Sequence, residues 1–411
     1  MAGLRVCVLL KTNSGGLWII PQVEELRRRG HGVTVVLPPG PGRLTTELTR
    51  RGIEVVESPF DFRFRPGPGT VRGLWRLRRL LRQLRPDVLN YHLYASALAA
   101  RLASVGMLVG RAHMVAGPLY LESPVIRPVE RLLWRMDDVT ISCTRHISQL
   151  YGKLGCPAER RPVIQYGIDT EYFAPSWAAV EPTRRAAVHA EARAKARAEI
   201  GIDERDFLVV MVGYVYPPKR LAHNGRGIKG HDTLLAAWQT FHARHPRTHL
   251  LLVGEGFTDA GKRYRAELVQ RFGVDADPSV TWLGWVPDLR PYFTAADLSV
   301  TPSLSEGSNG VVREASAMGV PSIVSDAGGL PEAVDERQGW VVPRGDVAAL
   351  AAALEAAYRE FGTGQLRHRG EYARQRAVGL FDRGPAAAEV ADVIERLGAG
   401  AAERRRRGVE S

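Results

Sequence analysis

Between Ser305 and Val334 the chain reads SEGSNGVVREASAMGVPSIVSDAGGLPEAV, and no other stretch limits its possible folds as much. An apolar run, Asp297–Pro302, ends like a strand entering a loop. The loop is made of small residues, Gly307-Ser308-Asn309-Gly310, and gives way to a helical pattern. Gly319-Val320-Pro321 closes that helix, a second strand follows at Ser322–Ser325, and a glycine pair, Gly328-Gly329, turns the chain again. Strand, turn, helix, strand is the repeating unit of a parallel sheet covered by helices.

Two glutamates, Glu306 and Glu314, stand on either side of the glycine-rich turn with seven residues between them. The turn can present backbone N–H groups to a ligand, and the helix after it points its positive end the same way, which makes an anion site suited to phosphate. Glu314, in the first turns of the helix, would repel phosphate but could accept two hydrogen bonds from a vicinal diol such as ribose. Glu306, still in the loop, could do the same for sugar hydroxyls. A diphosphate flanked by two hydroxylated rings is a nucleotide sugar. On spacing alone, an ordinary strand-turn-helix with two solvated glutamates fits the same residues.

The segment resembles the Glu-x7-Glu signature of the family 4 retaining glycosyltransferases, which share the GT-B fold. That resemblance implies an α/β protein of two Rossmann-like, doubly wound parallel-sheet domains facing across a cleft. It places Glu306 against the donor sugar, Glu314 on the ribose, and Gly307, Asn309, Gly310 and Val311 in the donor-contacting turn. Gly15-Gly16, then Arg29-Gly30-His31-Gly32-Val33-Thr34-Val35, is similar to the family's opening, so Gly15 and Gly16 are expected in a loop beside the donor phosphates. Trp285 and Val286, in Leu283-Gly284-Trp285-Val286-Pro287, match the family's loop beside the nucleobase, although an aromatic there could equally be core. The strand Arg85–His92 and the hinge Tyr166–Phe173 also resemble family segments, with Asn90 and Tyr166 as departures.

Two further departures bear on chemistry. The family often carries a catalytic-site histidine just before a glycine; here Ala116 precedes Gly117, and His113 either substitutes from three residues upstream or simply ends a strand. The family's Gly-Arg after the first strand of the second domain becomes Gly213-Tyr214, followed by an extended basic loop. Lys229-Gly230 fits the family's Lys-Gly, and the other cation for the diphosphate must come from Lys219, Arg220 or Arg226, with Lys219 the first choice. Such charge is what a diphosphate leaving group needs when no metal is present.

Competing chemistries are poorly served. No Gly-x-Gly-x-x-Gly follows the first strand, and no Walker lysine occurs. Asp275-Ala276-Asp277 mimics the metal-holding Asp-x-Asp of the other glycosyltransferase fold, but it precedes a strand inside a proline-bounded loop, where turn chemistry explains it better. No metal and no cofactor are expected beyond the co-substrate, a nucleoside diphosphate sugar, for which UDP is the family's most frequent choice. Cys7, Cys143 and Cys156 form no metal or disulfide spacing, which reads as a reduced cytoplasmic protein. The opening Leu4–Leu10 is too short for a signal peptide and reads as a buried strand, and no apolar run approaches the ~20 residues of a membrane span.

Charge is unevenly placed. Residues 1–172 carry 25 Lys+Arg against 14 Asp+Glu, which leaves 31 against 30 for the remainder, so nearly all of the net +12 lies in the N-terminal part. A surface of that sign attracts phosphate, anionic lipid or nucleic acid. No nucleic-acid-binding motif accompanies it. In Val71–Arg85, Val71, Leu74, Leu77 (with Trp75), Leu81 and Leu84 recur at helical spacing with arginines on the other face. The leucines suit a sheet-covering helix, and the arginines could touch headgroups at the inner face of a membrane.

The expected organisation is an acceptor-binding domain at 1–173, a helical linker at 174–205, a nucleotide-sugar domain at 206–378, and a C-terminal helix with a loose basic tail at 379–411. The function implied is transfer of a hexosyl group with retention, to a glycan or lipid-linked acceptor or to a soluble small molecule. A catalytically silent nucleotide-sugar-binding protein is the alternative that Ala116 and Tyr214 leave open.

Overall fold

The computed structural model describes residues 3–218 and 223–409, and the chain divides into two compact units, one running up to Gly167 and resuming at Arg383, the other spanning Ile168–Asp382. In the first unit six strands, β1 (Arg5–Leu10), β2 (Gly32–Leu37), β3 (Glu54–Glu57), β4 (Val88–His92), β5 (Gly110–Val115) and β6 (Val139–Ser142), pair in parallel in the order β3-β2-β1-β4-β5-β6. Val8 lies opposite Val35 on one side and Asn90 on the other. The inner strands read as near-continuous apolar runs because helices cover both faces.

Those helices are α1 (Ile20–Arg28), α2 (Arg43–Arg50), α3 (Pro68–Leu84), α4 (Tyr94–Ala103), α5 (Leu119–Glu122), α6 (Ile126–Leu133) and α7 (Arg145–Lys153). Val23 and Leu26 of α1, Leu48 of α2 and Ile147 of α7 join one core, and Leu77 and Leu81 of α3 with Ala99 and Ala100 of α4 join the other.

The second unit repeats the plan. Strands β7 (Phe207–Val212), β8 (Thr248–Val253), β9 (Val280–Leu283), β10 (Leu298–Thr301), β11 (Ser322–Ser325) and β12 (Gly339–Val342) form a parallel sheet in the order β12-β11-β10-β7-β8-β9. Its helices are α8 (Pro182–Ile200), α9 (His231–His242), α10 (Asp259–Phe272), α11 (Arg290–Ala295), α12 (Gly310–Ala317), α13 (Leu330–Ala333), α14 (Val347–Thr363) and α15 (Gln365–Leu380). In both sheets the strand order reverses at one point, between β1 and β4 and between β7 and β10. Ligands of open α/β sheets bind beyond the strand ends at such points.

The stretch expected as a linker is integral to the second unit. Arg197 of α8 is fully buried and binds Asp297 at 2.6 Å, and its other nitrogens reach the carbonyls of Ala295 and Asp206. The basic tail is also ordered. It continues the last helix, α16 (Arg383–Val409), which packs Val390, Ala391 and Ile394 into the first unit's core. There Arg405 binds Asp87 at 2.6 Å and the carbonyl of Pro86 at 3.1 Å.

Helix α3 departs from expectation at two positions. Its leucines face inward, but Val71 and Trp75 do not join them and lie exposed. Among the described residues no helix is long and apolar enough to cross a membrane, and no group of three or more His, Cys, Asp or Glu could hold a metal ion. Asp277 is engaged in a turn, where its Oδ1 accepts from the N–H and hydroxyl of Ser279 at 2.9 and 2.6 Å.

Candidate active site

The point of reversal in the second sheet brings together two loops 77 residues apart in sequence. The Leu304 N–H, in the loop after β10, donates to the Ile228 carbonyl in the loop after β7 at 2.7 Å. Gly230 takes a left-handed φ of 72°, and a side chain there would sit 2.0 Å from the Pro302 carbonyl oxygen. Only glycine allows that approach, which gives the Lys-Gly pair its structural reason. Lys229 thereby places its Nζ 2.5 Å from Glu306 Oε2. The same oxygen accepts from Ser303 Oγ and Asn309 Nδ2, both at 3.2 Å. Burial pulls the Lys229 ammonium down, but the Glu306 carboxylate outweighs it and the pKa ends above the ordinary lysine value.

Glu306 is also fixed through its backbone. Gly328 has φ 57°, and a Cβ there would lie 1.8 Å from the Glu306 carbonyl oxygen. The glycine pair after β11 is thus the wall against which the Glu306 loop is pressed. Asn309 caps α12, accepting the Val312 N–H at 3.4 Å. Gly307 is buried in the loop, and Gly310 opens the helix. A side chain at Gly310 would lie 3.5 Å from Glu314 Oε1, so the Glu314 carboxylate lies beside the first turn of α12. Val311 and Val286 are half-buried and pack on the same apolar cluster.

Of the cations considered for a diphosphate, Lys229 is in this site. Arg226 is committed elsewhere: it binds Asp232 at 2.7 Å, Thr233 Oγ1 at 2.5 Å and the Gly345 carbonyl at 3.4 Å. Lys219 and Arg220 lie outside the described residues. Three aromatic rings follow β7 and β8. Phe257 packs on Tyr214 at 5.3 Å and on Tyr216 at 5.4 Å. The Tyr216 hydroxyl is raised by burial and senses the charges of both Lys229 and Glu306.

The first unit holds the remaining candidates. Gly15 and Gly16 follow β1 at that sheet's own point of reversal. Gly16 has φ 93°, and a Cβ there would meet Leu10 Cδ2 at 2.3 Å. Leu93, after β4, takes a φ of 68°, which costs a non-glycine residue of order 1–3 kcal/mol and tends to mark functional edges. His113 is not at that edge. It is fully buried within β5, its Nδ1 within 3.2 Å of Arg101 Nη2 and 3.4 Å of the Tyr151 hydroxyl. Arg101 in turn forks onto Glu130 and Asp137, all with fully buried side chains. Burial and the Arg101 charge hold His113 well below its ordinary pKa. A neutral imidazole locked in an ion-paired core is a structural residue, so His113 is withdrawn as the replacement for the missing histidine.

Profiles of two sequence groups match this chain: "Glycosyltransferase Family 4" over residues 22–172 and "Glycosyl transferases group 1" over residues 207–360. The chain belongs to the family 4 glycosyltransferases. It is 30% identical over 290 residues to the D-inositol 3-phosphate glycosyltransferase of Segniliparus rotundus, covering 64% of this chain and 57% of that relative's length. It is 28% identical over 345 residues to the GDP-mannose-dependent α-(1-6)-phosphatidylinositol monomannoside mannosyltransferase of Mycolicibacterium smegmatis, covering 79% of this chain and 81% of that one. Among solved structures, Anabaena HepE in complex with UDP and glucose superposes with a TM-score of 0.76 at 19% identity, over 95% of this chain and 99% of that one. The sucrose-phosphate synthase of Thermosynechococcus elongatus gives 0.74 at 20% identity, over 97% and 100%. These likenesses establish the GT-B fold of two six-stranded parallel sheets.

Within this glycosyltransferase the residues that sequence reasoning passed over are those that act by position. Ser303 has no motif value, yet it holds Glu306. Gly328 stood out as half of a glycine pair, but its contact with Glu306 depends on how β10 and β11 pair. Tyr216 was only one letter in a basic loop.

Proposed function

We propose that this chain transfers a hexosyl group, with retention at the anomeric carbon, from a nucleoside diphosphate sugar to a hydroxyl acceptor, without a metal. The single observation that carries this reading is the Lys229–Glu306 pair at the start of α12, a cation and a carboxylate 2.5 Å apart beside a helix N-terminus. The cation and the helix end suit a departing diphosphate, and the carboxylate suits the hydroxyls of the sugar attached to it. Glu314, beside the first turn of α12, accepts from the ribose diol. Lys219, after β7 in sequence and outside the described residues, is assigned the second cation, and Val286 borders the base.

In the reaction the bond between the anomeric carbon and the phosphate oxygen breaks, and the acceptor oxygen bonds to that carbon on the same face. The acceptor proton passes to a diphosphate oxygen, which is a base adequate to the task once the leaving group carries its full charge. Glu306 serves as an orienting group here, its Oε2 held by Lys229, Ser303 and Asn309.

For the acceptor class the reading is supported by two relatives, one named for inositol 3-phosphate and one for a phosphatidylinositol mannoside. Both support a polyol or glycan hydroxyl, borne on lipid or free, as the acceptor. The two names and the UDP complex of HepE divide over the nucleotide, so the base is decided by experiment. Thermal unfolding is followed with UDP, GDP and ADP in metal-free buffer, for the wild type and Glu314→Ala. One diphosphate at 100-fold over its Kd stabilises the wild type by about 2.7 kcal/mol and the variant far less. Stabilisation by none of the three removes the donor-site reading.

A further inference from the structure

Beyond the transfer reaction, and independent of it, we propose that the outer face of helices α3, α4 and α6 in the first unit binds an anionic phospholipid surface. Each of these helices leaves large apolar side chains in solvent. On α3, Val71 and Trp75 are 68% and 62% exposed. On α6, Val129 and Leu132 are exposed, as is Val125 just before it, with Val125 at 73% and Leu132 at 69%. At 3.6 residues per turn, positions 125, 129 and 132 fall within an arc of about 60°. Leu102 is exposed on α4, which is joined to α6 by the buried fork of Arg101 onto Glu130 at 2.8 and 2.9 Å. That joint ties α4 to α6. Arg78 of α3 reaches the α4 carbonyl of Ala103 at 3.0 Å and ties the third helix to it.

The polar part of the same face has one sign. Residues 62–86 contain eight arginines and no Asp or Glu. Arg72, Arg76 and Arg79 lie on the exposed side of α3 next to Val71 and Trp75. On α6, Arg127 and Arg131 are exposed, while the helix's single carboxylate, Glu130, is buried inward on Arg101. Apolar side chains projecting beside cations are what an interfacial surface needs: the first enter the headgroup and acyl boundary, the second meet phosphate. A second copy of the chain is a poor occupant, because a two-fold contact would set arginine against arginine. Nucleic acid would meet the arginines but leave the valines and leucines without use.

The test is co-sedimentation of the full chain with phosphatidylglycerol–phosphatidylcholine vesicles, against phosphatidylcholine alone. The proposal expects retention on the anionic vesicles only. Val71→Ser/Trp75→Ser/Leu132→Ser should lower partition by on the order of tenfold. Arg72→Gln/Arg76→Gln/Arg79→Gln should lower it at low salt and flatten its salt dependence. The arginine set, fully solvent-facing, keeps the test valid if the apolar set fails to fold, and the melting midpoint reports which has happened. Absence of binding to anionic vesicles, or binding unchanged by both sets, overturns the proposal. So does light scattering that shows a dimer broken by the apolar set, which would assign the face to a second copy. The nucleoside diphosphate shift, measured on the same samples, is expected to be equal in wild type and variants, so loss of the donor reading is seen separately.

Discussion

Glu306 is positioned from three directions, and each contact has a different physical origin. Lys229 supplies an ion pair, Ser303 and Asn309 supply neutral hydrogen bonds, and Gly328 supplies the absence of a side chain. The last is the least forgiving. Gly328→Ala would put a Cβ 1.8 Å from the Glu306 carbonyl oxygen at a left-handed φ of 57°. Neither atom belongs to a flexible side chain, so the loop must move as backbone. Together the left-handed conformation and the overlap should cost more than about 2 kcal/mol, and the displaced Glu306 should release Lys229. Urea unfolding and the nucleoside diphosphate shift measure the two effects. Gly364→Ala is the matched control, since Gly364 has a left-handed φ of 76° and nothing lies within 4 Å of a Cβ built there. Equal behaviour of the two variants would show that Gly328 does not hold the site.

At the scale of elements, α12 is short, only Gly310–Ala317, and its start carries the N–H groups proposed to meet the diphosphate. Asn309 is what ends the loop and begins the helix, through its side-chain bond to the Val312 N–H. Asn309→Ala should destabilise the chain by about 1 kcal/mol and weaken nucleoside diphosphate binding as well, because Nδ2 also holds Glu306. Asn309→Asp keeps the cap but sets a second carboxylate beside Glu306, so it should restore stability and not binding. Isothermal titration beside urea midpoints separates the two roles. If both substitutions spare binding, α12 is not the anion site. This element was legible in the sequence because loop, cap and helix are contiguous there. The Lys229–Glu306 pair was legible only by resemblance, since two residues 77 apart meet through the adjacency of β7 and β10. Helix α8 passed for a linker because only Ala196 and Arg197 of its 19 residues are buried. The basic end of α16 looked loose because its charge partners, Asp87 and Asp138, lie more than two hundred residues away.

For the molecule as a whole, the buried histidines set the response to acid. His92 in the first unit is brought by burial to about 3, and His231 in the second is brought by burial and then the Lys229 charge to about 4. His113 lies well below its ordinary value, and His189 is lowered as well. In the unfolded chain these groups titrate near 6.5. Between pH 6.5 and 4 the unfolded chain therefore binds protons that the folded chain refuses, so stability present above 6.5 is lost as pH falls. The slope is about 1.4 kcal/mol per unit for each such histidine, or about 2 kcal/mol each by pH 5 for His92 and His231, with His113 adding in the same direction. Asp137 works in the opposite direction, since burial raises its carboxyl against the pull of Arg101, but it is one group against several. Paired carboxylates such as Glu25, lowered to about 2 by Arg28 and Arg29 despite some burial, lose their contribution only at lower pH. Urea midpoints at pH 7.5 and 5.0 measure the difference, and because histidines of this kind occur in both units, any separate transitions should both move to lower urea. A midpoint that stays level across that interval would mean that these histidines reach solvent in the folded chain.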